Sequence, residues 1–145
     1  FDIYGRISIK LRLFINEYLR KNRFLEILTY DQVPRVDIYQ LSNNYHLGLQ
    51  INADCYPFLV STKVYEYPAL CLPQISICKN GDIINMIKKN NIGIVVNPIE
   101  ESQIILDKIQ FLASNYNIDA LYQFAIDSTW IKRAKQSYKY IWNLG

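Results

Sequence analysis

The sequence has little of what disulfide-stabilised and metal-binding proteins need. Only three cysteines (Cys55, Cys71 and Cys78) and one histidine (His46) occur among 145 residues. An odd number of cysteines without C-x-x-C spacing argues against a disulfide framework and against a zinc site. The three thiols are expected to be small buried residues in a reducing compartment, and His46 is expected to be a hydrogen-bonded core residue.

Long apolar runs and strong charge are also missing. No apolar stretch approaches the ~20 residues that a helix needs to cross a bilayer, and no signal peptide is visible. The net charge of +3 is compatible with a phosphate-bearing ligand without requiring nucleic acid. Half of the residues are hydrophobic, which indicates a globular domain. The chain starts at Phe1 inside an apolar stretch, and we interpret it as a fragment whose true N-terminus lies upstream.

Short strand-like segments alternate with longer helix-like segments along the chain. Strands are expected at residues 1–4, 23–28, 45–51, 73–78 and 92–96, with helices between them and helices only from residue 101 to about residue 142. This alternation predicts an α/β fold with one parallel sheet of at least five strands and helices on both faces. We interpret residues 1–145 as one Rossmann-like domain. Ligands of such sheets bind at the carboxyl ends of the strands.

The segment from residue 53 to residue 98 carries the most informative pattern. It contains Ser61-Thr62-Lys63, then Glu66-Tyr67, Pro73 before a strand, the Asn80-Gly81-Asp82 turn, and Gly93 before the last strand. This run resembles the donor-binding domain of retaining group 1 glycosyltransferases, which have the GT-B fold of two facing Rossmann-like domains. Phe1–Gly5 and the segment from Asp127 to Trp130 before the final helix resemble further elements of that family. The chain would then be the C-terminal half of a GT-B fold.

The resemblance implies a site for a nucleotide diphosphate sugar such as a UDP-sugar, bound as a substrate and not as a cofactor. It implies that Glu66 accepts hydrogen bonds from the ribose hydroxyls and that Lys63 offsets diphosphate charge. Ser61 and Thr62 stand where a helix would begin, and helix N-termini favour phosphate. The D-x-D sequence is absent, so the resemblance implies a site without a metal ion.

Further contacts are implied around the same ligand. Asn80 and Gly81 are candidates to contact the sugar or a phosphate, and Thr29 and Tyr30 are candidates to contact the base, with Tyr30 stacking on it. Each residue also has a structural interpretation as a turn, a helix cap or a solvated side chain. No catalytic residue is identified.

One departure from the family pattern concerns a carboxylate. The family places an acid eight residues before the ribose glutamate, and Phe58 stands at that position here. We expect Phe58 at the mouth of the donor cleft. The Arg and Lys pair that holds the diphosphate, and the acceptor-binding domain, would lie upstream of Phe1.

Alternative functions stay open at this point. The chain could be a non-catalytic GT-B-like subunit that serves an active glycosyltransferase, or part of a sugar-nucleotide epimerase of the same fold. A receiver domain is disfavoured, because Gly5-Arg6 stands where its acidic cluster would be. The glycosyltransferase interpretation implies a cytoplasmic protein of polysaccharide biosynthesis, with a homo-oligomer or a partner glycosyltransferase as further candidates. The basic residues of the last helix, Lys132, Arg133, Lys135 and Lys139, form either a solvated face or a contact with anionic lipid at a membrane surface.

Overall fold

The computed structural model describes residues 1–23, 26–52 and 58–142, with side chains described up to residue 139. The chain divides into two compact units, Phe1–Leu41 and Ser42–Gly145. The described strands are β1 (Asp2–Tyr4), β2 (Leu28–Tyr30), β3 (Gly48–Ile51), β4 (Gln74–Ile77) and β5 (Gly93–Val96). The helices are α1 (Ile9–Lys21), α2 (Arg35–Leu41), α3 (Lys63–Ala69), α4 (Asp82–Asn90), α5 (Ser102–Asn115), α6 (Ile118–Asp127) and α7 (Trp130–Trp142), with a 3-10 turn at Ser42–Asn44.

All described strand pairs are parallel, which confirms the α/β class with a parallel Rossmann-like arrangement. The strands do not form one continuous sheet, however. In the part of the chain that is described, β1 pairs with β2, and β3, β4 and β5 form a separate sheet in that order. The alternation of segments predicts strands and their direction, but it does not determine which strands become neighbours.

The first unit is built on the β1–β2 pair. Helix α1 begins where the Ser8 hydroxyl oxygen accepts a hydrogen bond from the Leu11 amide at 3.2 Å, which is a standard N-cap. The second strand was predicted at residues 23–28, and that prediction is wrong in its position. The strand β2 begins at Leu28 and ends at Tyr30. These are the residues that pair with β1, since Leu28 lies opposite Asp2 and Tyr30 lies opposite Tyr4. Residues 24–25 of the predicted strand lie outside the described residues.

The second unit has helices on both faces of its three-stranded sheet. One face packs against α3, α4 and α6, in a core that includes Val64, Ile87 and Leu121. The other face packs against α5, where Leu112 contacts a cluster built on Ile75 and Val96. The helices on both faces were predicted from the sequence, and the second unit confirms them.

The sheet face towards α3 is polar. Its buried side chains include Gln50, Gln74 and Ser76, which alternate with apolar residues as strand geometry requires. The Gln50 amide Nε2 donates to Gln74 Oε1 at 2.9 Å, and Gln74 Nε2 donates to the Val64 carbonyl oxygen at 3.4 Å. Pro68, four residues after Val64, has no N–H and cannot serve that carbonyl itself. The sheet therefore supplies a donor to α3 where the helix lacks one.

Several predicted burials are wrong. The segment from residue 45 to residue 51 was predicted as a fully buried strand, but Leu49 and Ile51 are exposed. The α5 cluster is centred on β4 and β5 and does not cover these two side chains. His46 is exposed in the bend before β3, and Cys71 is exposed after α3, whereas Cys78 is buried as expected. Cys55 lies outside the described residues.

Candidate functional site at the carboxyl edge of the second sheet

The carboxyl edge of the β3–β5 sheet, meaning the ends of its strands and the segments that follow them, gathers most of the predicted site residues. Ile51 pairs with Ile77, and Ile77 pairs with Val96, so the three strands end level. Parallel strands bring their following segments to the same edge. Seven predicted site residues belong to those segments or to the first turn of the next helix: Phe58, Ser61, Thr62, Lys63, Glu66, Asn80 and Gly81.

The two residues predicted to contact the base lie in the first unit. Thr29 and Tyr30 were predicted to follow a strand, but both belong to β2 itself. The Tyr30 ring stacks on the Tyr4 ring, with centroids 4.7 Å apart and an interplanar angle of 11°. Desolvation and the nearby Asp2 carboxylate raise the pKa of Tyr30. One face of this ring is therefore already occupied by a neighbouring strand.

The start of α3 has few free donors. The Lys63 amide donates to the Ser61 hydroxyl oxygen at 3.3 Å, and the Val64 amide donates to the Ser61 carbonyl at 3.1 Å. The Tyr65 and Glu66 amides both donate to the Thr62 carbonyl oxygen. Thr62 is the N-cap residue and makes no side-chain cap bond, and the Ser61 hydroxyl one residue earlier accepts from the first helical amide instead. Because these amides are engaged, a phosphate at the start of α3 would have to be held mainly by side chains such as Lys63.

Glu66 and Tyr67 lie where α3 is fastened to the sheet. The Tyr67 hydroxyl donates to the Leu49 carbonyl oxygen at 2.7 Å. Its ring occupies the space beside Gly48, where a Cβ atom would stand only 2.5 Å from the ring carbon. Burial and the neighbouring Glu66 carboxylate raise the pKa of Tyr67 to about 12. The Glu66 side chain is half-buried, in the first turn of the helix.

The turn before α4 has a backbone that only glycine adopts readily. Gly81 has φ 121° and ψ 167°, a region essentially confined to glycine. Among the described residues, no acceptor bonds the Asp82 and Ile83 amides that follow it. These two amides are backbone donors available at this edge, although the Asp82 carboxylate in the same turn opposes an anion. Asn80 is exposed beside them.

Phe58 is 84% exposed, so it does not belong to the core. The next residue is connected to β3, because the Asn52 side-chain amide donates to the Leu59 carbonyl oxygen at 3.2 Å. The preceding residues, 53–57, lie outside the described residues. Within the described ranges, no group of three or more His, Cys, Asp or Glu side chains is arranged to hold a metal ion.

Sequence reasoning missed the residues that position α3. Tyr67 was noted only as a member of a motif, and Gln74 and Gly48 were not singled out. Their contacts cross 18 residues from Tyr67 to Leu49 and 10 residues from Gln74 to Val64. Only the strand register brings these groups together, so no local pattern could have indicated them.

Two further findings concern the helices of the chain and its comparison with known proteins. In the described part of the chain, every helix is too short or too polar to cross a bilayer. No protein-family model, curated protein or solved structure matches this chain.

Proposed function

We propose that this chain is the donor-binding domain of a GT-B glycosyltransferase and that it binds a nucleotide diphosphate sugar without a metal ion. The observation that carries the proposal is the position of Glu66. This carboxylate lies in the first turn of α3, the helix that follows β3, at the edge where parallel α/β sheets bind ligands. Tyr67 fastens the same turn of α3 to β3 through its hydrogen bond to Leu49.

In this proposal, residues at the N-terminal ends of α3 and α4 contact different parts of the ligand. A carboxylate that accepts both ribose hydroxyls fixes the sugar of the nucleotide, and Glu66 has this role. Lys63, exposed at the first position of α3, offsets diphosphate charge. The Gly81 turn contributes the backbone amides of Asp82 and Ile83.

In this proposal the acceptor and part of the catalytic cleft come from an N-terminal domain. The described residues supply donor binding, and none of them is assigned a catalytic role. The transferred sugar would go to a glycan, lipid or protein acceptor, in the cytoplasm or at the surface of a membrane. A homo-oligomer or a partner glycosyltransferase would complete the assembly. The 145-residue chain alone is expected to bind a nucleotide without transferring sugar.

A second candidate function is a non-catalytic subunit that binds a nucleotide sugar. Phe58 supports it, because the resembling family has an acid at that position, and the Phe58 side chain is 84% exposed. An exposed phenyl ring cannot accept hydrogen bonds from sugar hydroxyls. Conversion of Phe58→Glu in the full-length protein distinguishes the two candidates, since it should raise transfer only if the rest of the catalytic site is present.

Titration of the chain with UDP, GDP and ADP, followed by amide NMR shifts, tests the donor-binding proposal. Glu66→Gln should weaken nucleotide binding by about one to two orders of magnitude, because a hydrogen bond to a charged group contributes roughly 1.5–3 kcal/mol. Glu101→Gln is the matched control. It removes the same charge at the start of α5, also after a strand of this sheet. Equal affinity in wild type and Glu66→Gln, or shifts remote from residues 61–66 and 80–83, would refute donor binding at this edge.

A further inference from the structure

A second candidate binding site lies on the helical side of the second unit. The helices α3, α4, α6 and α7 enclose an open groove of about 400 Å³, a volume in the range of small-molecule sites. None of the nine residues predicted to bind the donor lines this groove. The groove is therefore independent of the function proposed above.

Arg133 is the charged centre of the groove. Its guanidinium carbon lies 4.0 Å from the centroid of the Tyr65 ring and 4.6 Å from that of the Trp130 ring. The Tyr65 ring also stacks on Phe124, with centroids 5.9 Å apart. Cation–π contacts hold a guanidinium in place without neutralising it. No carboxylate pairs with Arg133 in the part of the chain whose side chains are described.

The one acid in the groove lining is already engaged. Asp127 pairs with Lys132 at 2.7 Å and accepts a hydrogen bond from the Gln123 side-chain amide at 2.7 Å. The Gln123 hydrogen bond and the Lys132 contact lower the pKa of Asp127, which keeps it ionised. Its charge is balanced by Lys132, so the charge of Arg133 remains uncompensated.

Neutral hydrogen-bonding groups lie in the same lining. Ser128 and Gln136 both line the groove, and across the described side chains neither forms a side-chain hydrogen bond. Tyr65, Phe124 and Met86 add apolar surface. One fixed cation, a hydroxyl, an amide and an aromatic wall are the features that recognise a small anion with an organic body.

We propose that this groove binds a small organic oxyanion, a carboxylate or a phosphate ester, through the guanidinium of Arg133. The planar fork of an arginine matches both kinds of oxyanion with two parallel N–H bonds. Ser128 and Gln136 contribute hydrogen bonds, and the body of the ligand packs on the Tyr65 and Phe124 rings.

Amide NMR titrations of the chain with glucuronate, glucose 6-phosphate, inorganic phosphate and uncharged glucose test the proposal. We expect shifts at Ser128 and around Arg133 with at least one of the two charged sugars, and an affinity for glucose at least tenfold lower. A stronger response to glucuronate identifies a carboxylate site, and a stronger response to glucose 6-phosphate identifies a phosphate site. Binding of inorganic phosphate alone, binding of glucose as tight as that of the charged sugars, or no response to either charged sugar overturns the proposal.

Substitutions separate Arg133 from the general charge of α7. Arg133→Gln should lower the affinity for the charged sugar about tenfold to a hundredfold. Lys135→Gln, which removes the same charge from an exposed position of α7, should leave that affinity unchanged within about twofold. Because Arg133 packs on two rings, the pair Ser128→Ala and Gln136→Ala provides a second variant, which should lose affinity severalfold. Unchanged affinity in Arg133→Gln, or in the paired variant if Arg133→Gln does not fold, overturns the proposal.

Discussion

The side chain of Gln74 donates a hydrogen bond to the backbone carbonyl oxygen of Val64 at 3.4 Å. That carbonyl would otherwise be served by the amide of residue 68, which is a proline. Gln74 therefore replaces a missing helical hydrogen bond from the neighbouring strand. It also accepts a hydrogen bond from Gln50, so one buried side chain connects β3, β4 and α3.

Loss of this connection should destabilise the second unit. Gln74→Leu leaves the Gln50 amide and the Val64 carbonyl without their partners, and each buried unpaired group costs about 1–3 kcal/mol. We expect a loss of roughly 2–4 kcal/mol in urea unfolding. Pro68→Ala restores an N–H for Val64, so Gln74→Leu should cost about 1 kcal/mol less in that background. Additive effects in this double-mutant cycle would contradict the replacement role of Gln74.

The stability that Tyr67 contributes to the fold should decrease at alkaline pH. Its pKa is raised from 10.0 to about 12, so the folded protein holds this proton more tightly than the unfolded chain. The contribution is full below pH 10 and is lost as pH rises from 10 towards 12. Two pKa units correspond to about 2–3 kcal/mol. In urea unfolding between pH 8 and pH 11, the advantage of wild type over Tyr67→Phe should shrink. Tyr122→Phe, which makes the same substitution at an exposed position, is the control.

Gly81 should resist replacement for reasons of backbone geometry. At φ 121° and ψ 167° a Cβ atom is strained, at a cost on the order of 1–3 kcal/mol. Gly81→Ala should lower the free energy of unfolding by that amount, and Asn80→Ala, at the exposed neighbouring position, by less than about 0.5 kcal/mol. An alanine variant as stable as wild type would show that this turn adopts another conformation.

Replacement of Cys71 by glycine should increase the stability of the protein. It has φ 56° just after α3, in the left-handed conformation that usually ends a helix with glycine. Relief of this strain contributes about 1–2 kcal/mol, and the greater freedom of unfolded glycine offsets about 0.5–1 kcal/mol. Cys71→Gly should therefore gain about 0.5–1 kcal/mol in thermal or urea unfolding. The control, Cys71→Ala, keeps the Cβ atom and should gain nothing.

The order of elements could be predicted because each segment carries its own periodicity. The stretch around Ile75 alternates with period two and is a strand, and the α4 pattern from Asp82 to Asn90 has the period of a helix. Strand neighbours could not be predicted in this way. Whether Leu49 faces a helix or solvent depends on where α5 packs, and the composition of β3 contains no information about that.

The candidate site was predictable in its location and less so in its chemistry. The carboxyl ends of parallel strands lie at one edge of a sheet, so Glu66 after β3 and Gly81 after β4 could be expected at the same edge. Whether the amides at the start of α3 are free to bind a ligand depends on the local turn at Ser61. Their hydrogen bonds within this turn could not be inferred from residue types. The stacking of Tyr30 on Tyr4 depends on a β1–β2 register that no local pattern specifies.

The order of β3, β4 and β5 in the sheet follows their order in the chain, and α3 and α4 both lie on the same face. Both crossovers therefore progress in one direction. A crevice in a doubly wound sheet opens where two neighbouring crossovers leave towards opposite faces. Within the described residues of Ser42–Gly145, no such switch point occurs between the three strands. A deep nucleotide crevice at Glu66 would thus require a further strand beside β3 whose own crossover lies on the opposite face, and the affinity of the site would depend on that strand.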